Sequence, residues 1–213
     1  MTANTLPMRQ QDNWQNQLRN VISTAQELLD LLELAPQDTG FCADASSDFS
    51  LKVPMAFVRK MRAGDPQDPL LLQVLARGEE LLQTPGFSSD PVGEVGAAIP
   101  ARGVIHKYKG RVLLLVTSGC AIHCRYCFRR HFPYAANQNS RREWGEALDY
   151  IRRNSGISEG IFSGGDPLLA NDDYLDDLVT QVAAVDHVRR LRIHTRLPVV
   201  IPDRITGDLL NAI

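Results

Sequence analysis

Apolar and polar positions alternate in two different rhythms along the chain. From Asn13 to Leu34, Trp14, Leu18, Val21, Ile22, Ala25, Leu28, Leu29 and Leu32 recur at three and four, the spacing of a buried helix face. Ser23-Thr-Ala-Gln26 has the form of a capping box, so the stretch admits two helices. Pro36 to Ser50 is polar and turn-rich. Val53 to Met61 predicts a short helix ended by Gly64, and Asp68-Pro-Leu70 opens another that runs to about Leu82. Pro85 to Arg102 is rich in Gly and Pro and predicts a linker or wrapping loop. Residues 1–11 predict a disordered leader.

The second rhythm mixes short apolar runs with helical periods. Arg111–Val116, Gly160–Ser163 and Val188–Thr195 predict strands. Ser140 to about Asn154, with Trp144, Ala147, Leu148 and Ile151 on one face, predicts a helix, as do Asp172–Val185 and Asp203–Ile213. Strands alternating with helices imply parallel βαβ units. The expected class is α/β, with a helical N-terminal region and linker over 1–105 and the first half of a partial (β/α) barrel over 106–213. Ligands of such folds gather at the C-terminal ends of the strands. A closed barrel takes about 250 residues, and about 100 follow Val112. The last helical pattern stops at Ile213 without a cap. The expectation is therefore a piece of a longer protein.

Composition narrows the class. The chain has 213 residues, 44% of them apolar, with Lys+Arg 23 against Asp+Glu 25 and a net charge of −2. That balance opposes a nucleic-acid surface. No apolar stretch approaches the ~20 residues of a membrane span. The start, Met1-Thr-Ala-Asn-Thr-Leu-Pro-Met-Arg, has no apolar signal core, so a cytoplasmic place with reduced thiols is expected.

The chemistry concentrates after the first strand. Cys120, Cys124 and Cys127 are spaced C-x3-C-x2-C in Thr117-Ser-Gly-Cys-Ala-Ile-His-Cys-Arg-Tyr-Cys-Phe-Arg-Arg130. Three thiolates hold three irons of a 4Fe–4S cube, which ordinarily takes four cysteines, and leave one iron open to a small molecule. A structural zinc site is the alternative, with His123, His131 or Cys42 as the fourth ligand, though no second cysteine pair stands elsewhere. Cys42, in a polar stretch, reads as an ordinary thiol. Ser163-Gly-Gly-Asp-Pro167 lies between a strand and a helix, where side-chain-free backbone permits close approach to a ligand. A plain tight turn is the other reading.

Taken together these residues resemble a known family. The cysteine spacing is that of radical S-adenosylmethionine (SAM) enzymes. His106-Lys-Tyr-Lys-Gly-Arg-Val-Leu-Leu-Leu-Val116, Cys124 to Tyr134, Ser163-Gly-Gly-Asp-Pro-Leu168 and Arg192-Ile-His-Thr-Arg-Leu-Pro198 look like the lysine 2,3-aminomutases. Trp14 to Leu18 and Cys124 to Tyr134 bring the chain nearest the branch tied to β-lysylation of elongation factor P. The resemblance implies a 4Fe–4S cluster on Cys120, Cys124 and Cys127, SAM, and pyridoxal 5′-phosphate (PLP). It implies lysine as substrate, its amino group moved from Cα to Cβ. It also implies a flavodoxin- or ferredoxin-type electron donor, a link to elongation factor P and its ligase, and a homo-oligomer.

By the same resemblance Arg129 binds the lysine carboxylate, its planar fork suited to the role. Tyr126 packs near the adenine. Ser163, Gly164, Gly165, Asp166 and His194 lie about SAM, with the glycine turn gripping the methionine moiety. Lys107, Tyr108 and Arg111 lie near PLP, Lys107 standing where the family pattern has arginine. The family's PLP-anchoring lysine lies far downstream, whereas Lys52, Lys60, Lys107 and Lys109, the only lysines here, all precede the cysteines. The expectation is a chain inactive by itself. The rivals are an aminomutase of free-lysine catabolism and a zinc-binding interaction module.

Overall fold

The structure is a computed structural model that describes residues 13–137, 139 and 143–213. The leader predicted over 1–11 and the first residues of the helix predicted from Ser140 lie outside them. The chain divides into two compact units. Unit 1 comprises Met1–Phe87, Ala121–Arg130 and Val199–Asp203; unit 2 comprises Ser88–Cys120, His131–Pro198 and Arg204–Ile213.

In unit 1 the first periodic run is two helices, α1 (Trp14–Arg19) and α2 (Ala25–Leu31). Between them β1 (Val21–Ile22) pairs antiparallel with β2 (Val53–Pro54). The β-branched pair favours the extended backbone. The Thr24 hydroxyl then caps α2 by accepting from the Glu27 N–H at 3.3 Å. The polar stretch predicted as turns contains two short helices, α3 (Pro36–Thr39) and α4 (Ala43–Asp48). Each buries one residue, Thr39 and Ala45, so no apolar period announced them. The helix predicted from Val53 is reduced to α5 (Met55–Val58). The helix predicted from Asp68 to Leu82 is two 3-10 turns, Leu71–Gln73 and Gly78–Leu81. Buried Asp68 accepts from the N–H groups of Leu70 (2.8 Å), Leu71 (3.1 Å) and Arg62 (3.1 Å). Leu28, Leu29, Val53, Phe57 and Leu71 are fully buried.

Unit 2 is built on a four-stranded sheet in the order β3 (Val104–Tyr108), β4 (Arg111–Thr117), β5 (Glu159–Gly164), β6 (Arg190–Ile193). The three predicted strands are present and mutually parallel. The sheet as a whole is mixed, because β3 pairs antiparallel with β4. The turn between them uses Gly110 at φ +82, a conformation open to glycine. The helices are α6 (Tyr134–Asn137), α7 (Gly145–Arg153) and α8 (Asp172–Ala183), then α9 (Leu197–Val200), whose last two residues count with unit 1, and α10 (Gly207–Ala212). The helix predicted from Asp203 is a 3-10 turn, Pro202–Arg204, and α10, which Thr206 caps at the Leu209 N–H. β5 is buried along its whole length, and each large apolar side chain buried here is worth about 1.5–3 kcal/mol.

Candidate functional site

Because β4, β5 and β6 are parallel, their C-terminal ends share one edge of the sheet. Thr117, Gly164 and Ile193 end the three strands there, so Ser163, Gly164, Gly165, Asp166 and His194 are brought to one edge. The segment after β4 is bonded to the turn after β5. The Gly165 N–H donates to the Thr117 carbonyl at 2.8 Å, the Asp166 N–H to the Gly119 carbonyl at 2.8 Å, and the Thr117 hydroxyl to the Asp166 carbonyl at 2.9 Å. The Tyr134 hydroxyl donates to the Gly164 carbonyl at 2.7 Å.

These bonds revise the reason for the glycines. Gly164 has φ +114, and a Cβ on it would overlap the Thr117 carbonyl oxygen. A Cβ on Gly165 would overlap the Gly119 carbonyl oxygen and lie 2.6 Å from its carbon. The close approach that the glycines permit is made by the chain's own backbone, in the residues leading into Cys120. Asp166 is likewise engaged from within. Its carboxylate accepts from the Thr195 hydroxyl (2.6 Å) and from the N–H groups of Leu168 (3.1 Å), Arg196 (2.8 Å) and Leu197 (2.9 Å). Four donors fill its acceptor sites, so Asp166 orders the turn. Arg204, fully buried, then holds the next segment, donating to the carbonyls of Leu168 (2.7 Å) and Ala170 (3.1 Å) and pairing with Asp172 at 2.6 Å. Sequence reasoning missed it; one arginine in a Pro-Asp-Arg turn carries no signal of burial.

Lys107, Tyr108 and Arg111 are not brought to this edge. Arg111 begins β4 and pairs with Glu159 at the start of β5 and with Tyr108 in the hairpin. Six residues of strand, about 20 Å at ~3.3 Å per residue, separate Arg111 from Thr117. Lys107 donates to the Val92 carbonyl and lies 5.4 Å from the Tyr108 ring centre.

Cys120 closes a stretch of unit 2, and Cys124 and Cys127 lie in unit 1. There Ala121 and Ile122 are buried. The His123 N–H donates to the Lys52 carbonyl at 2.9 Å, and the Arg125 N–H to the Gln73 carbonyl at 2.8 Å. The Cys127 N–H donates to the Cys124 carbonyl at 3.0 Å. Arg125 and Arg130 are engaged from within: both pair with Glu80, and Arg130 also with Asp48. Arg129 lies with its guanidinium 4.9 Å from the Phe128 ring centre, and its backbone N–H reaches the Cys127 thiol. Tyr126 is exposed.

The donor set suits an iron–sulfur cluster better than a zinc ion. None of the four cysteines is in a disulfide. Among the described residues no three or more His, Cys, Asp or Glu are grouped as ligands of a metal ion. His123, offered above as a fourth zinc ligand, uses Nδ1 on the Ser50 carbonyl at 2.9 Å and stacks on Phe49 at 4.8 Å. Burial pushes the Cys127 thiol up, opposed by the Arg129 N–H. Among the described residues no helix is long and apolar enough to cross a membrane.

Comparison with known proteins agrees with this geometry. Residues 114–207, from β4 to the start of α10, match the radical SAM superfamily. L-lysine 2,3-aminomutase of Escherichia coli is 48% identical over 208 residues, 97% of this chain and 60% of that protein. The protein of the same name from Haemophilus influenzae is 48% identical over 94% of this chain and 59% of its own length. That from Clostridium subterminale is 32% identical over 94% and 48%. The strand-end region is thus a radical SAM region. The chain belongs to the lysine 2,3-aminomutase family, and it spans about 60% of the length of the first two relatives.

Proposed function

We propose that this chain is the iron–sulfur and SAM-binding portion of a lysine 2,3-aminomutase that converts L-α-lysine to β-lysine. The observation that carries the reading is the three-cysteine run rooted at the end of β4, with its preceding residues Thr117 and Gly119 bonded to the turn after β5. Cys120, Cys124 and Cys127 would hold a 4Fe–4S cluster, and the cluster with SAM would supply a hydrogen-abstracting radical. The protein orients and shields these groups, while the cofactors carry the hard chemistry.

In this reading the Ser163–Asp166 turn sets the backbone leading into Cys120, and His194 closes the same edge. Tyr126 flanks the adenine, and Arg129 takes the α-carboxylate of lysine through a two-pronged charge-assisted contact. PLP is the third cofactor. In this reading its anchoring lysine is none of Lys52, Lys60, Lys107 and Lys109. A flavodoxin- or ferredoxin-type donor supplies the electron. The β-lysine serves modification of elongation factor P by its ligase, in the cytoplasm.

Anaerobic reconstitution tests the reading. The chain should take up iron and sulfide and, once reduced, cleave SAM. Replacing Cys120, Cys124 or Cys127 by Ala should remove most of the iron, and Cys42→Ala should not. Zinc without sulfide, or equal iron loss from Cys42→Ala, refutes it. Adding lysine to a full-length relative of this chain and finding no β-lysine refutes the substrate.

A further inference from the structure

Glu80 lies on the 3-10 turn Gly78–Leu81, 45 residues before Arg125. Its carboxylate accepts from Arg125 Nε at 2.9 and 3.1 Å, from Arg125 Nη2, from Arg130 Nη1 at 3.0 Å and from the Arg77 N–H at 3.1 Å. The side chains of Glu80, Arg125 and Arg130 are only 20%, 7% and 15% exposed. Arg125 spends its other donors on the carbonyls of Phe49 and Ala45. Arg130 Nη2 reaches Asp48 at 3.1 Å. The Phe49 ring lies 4.8 Å from the His123 ring and 5.4 and 4.8 Å from the guanidiniums of Arg125 and Arg130.

The segment carrying Cys124 and Cys127 is therefore gripped on both sides. Arg125 stands between the two cysteines in sequence and Arg130 just after them. Nε, Nη1 and Nη2 of Arg125 and Nη1 and Nη2 of Arg130 each end on one of the protein's own oxygens. Those contacts hold the backbone that presents the thiols.

We propose that Glu80 is a positioning residue for the cluster: through Arg125 and Arg130 it holds Cys124 and Cys127 in place before any metal arrives, and so governs how firmly the cluster is kept. The proposal rests on the iron–sulfur reading above. A loop ordered in advance loses less freedom when metal binds.

Two rates test it. Alkylation of Cys124 and Cys127 by iodoacetamide in the metal-free chain, resolved peptide by peptide, reads the loop without a cluster. Iron release to a chelator from the reconstituted chain reads retention. Glu80→Gln keeps the volume and removes the charge. It should speed both processes by about tenfold, the effect of losing one charge-assisted hydrogen bond. Cys42, in the same unit but outside the loop, should react at its unchanged rate. Arg125→Lys keeps the charge without the fork and should act in the same direction; it decides the matter if Glu80→Gln does not fold. Unchanged rates at Cys124 and Cys127 overturn the proposal. So does equal acceleration at Cys42, which would make Glu80 a prop for the whole unit. A chain that binds no iron refutes the iron–sulfur reading, and the alkylation rates then show separately whether Glu80 orders the loop.

Discussion

The Thr195 hydroxyl donates to Asp166 Oδ1 at 2.6 Å and joins the segment after β6 to the turn after β5. Asp166 is buried and bonds three backbone N–H groups besides. One carboxylate thus orders the edge at which the Ser163–Asp166 turn and the root of the cysteine loop meet.

Removing that carboxylate should show in stability first. Asp166→Ala strands three donors, the Leu197 N–H keeping the Thr195 hydroxyl oxygen at 3.0 Å, and a buried unsatisfied donor costs about 1–3 kcal/mol. We expect a loss of about 3 kcal/mol or more in urea unfolding, and about 1 kcal/mol for Thr195→Val. A loss below about 1 kcal/mol for Asp166→Ala would show that the donors find water instead.

Gly165→Ala should lower stability by about 1–3 kcal/mol, because its methyl group collides with the Gly119 backbone, which can yield only by moving β4's exit. Gly156→Ala, where a methyl group meets nothing within 4 Å, should stay within about 0.5 kcal/mol. SAM binding to the reconstituted protein should fail in the first variant and survive in the second.

Unit 1 should be sensitive to acid in two steps. Burial pushes His123 below its ordinary 6.5, helped by the charges of Lys52 and Arg125 and opposed by the Ser50 carbonyl. The unfolded chain takes up that proton first, so stability is lost as pH falls below about 6.5. Burial alone would raise Glu80, but hydrogen bonds from Arg125 and Arg130 outweigh it and hold the carboxyl below the ordinary 4.5. That contribution is complete above about 4.5 and is lost as pH falls through the lower folded value. The urea midpoint should decline in both windows, and Glu80→Gln should make the lower decline shallower, leaving the part due to Asp68, which backbone N–H groups hold below the ordinary 3.8 against its burial. Stability that rises on acidification would contradict both assignments.

Arg129 and Arg130 should separate cleanly. Arg130 is committed to Glu80 and Asp48, so Arg130→Lys should cost about 1–2 kcal/mol of stability and leave KM for lysine unchanged in a full-length enzyme. Arg129→Lys keeps charge but loses the fork, and should raise KM or lower kcat by about tenfold or more. Unchanged kinetics for Arg129→Lys would place the carboxylate contact elsewhere.

Much of this molecule could be read in one dimension. The apolar runs at Val112–Val116 and Gly160–Ser163 are strands because they are buried along nearly their whole length, and continuous burial leaves a continuous apolar mark. The cysteine spacing and the Gly-Gly turn are local, so their order along the chain already tied them to strand ends. Short helices such as α3 and α4, which bury a single residue each, left no such period. β3 was hidden because His106, Lys107 and Tyr108 put polar and exposed positions on an edge strand.

Tertiary structure alone decided which neighbours those residues have. Nothing in the order of residues says that Gly165 makes room for Gly119, that Asp166 is filled by donors after β6, or that Glu80 grips Arg125 from 45 residues away. A charged residue looks the same in sequence whether it faces water, a ligand or a buried partner. Its partner is chosen only when the backbone closes and every buried donor must find an acceptor.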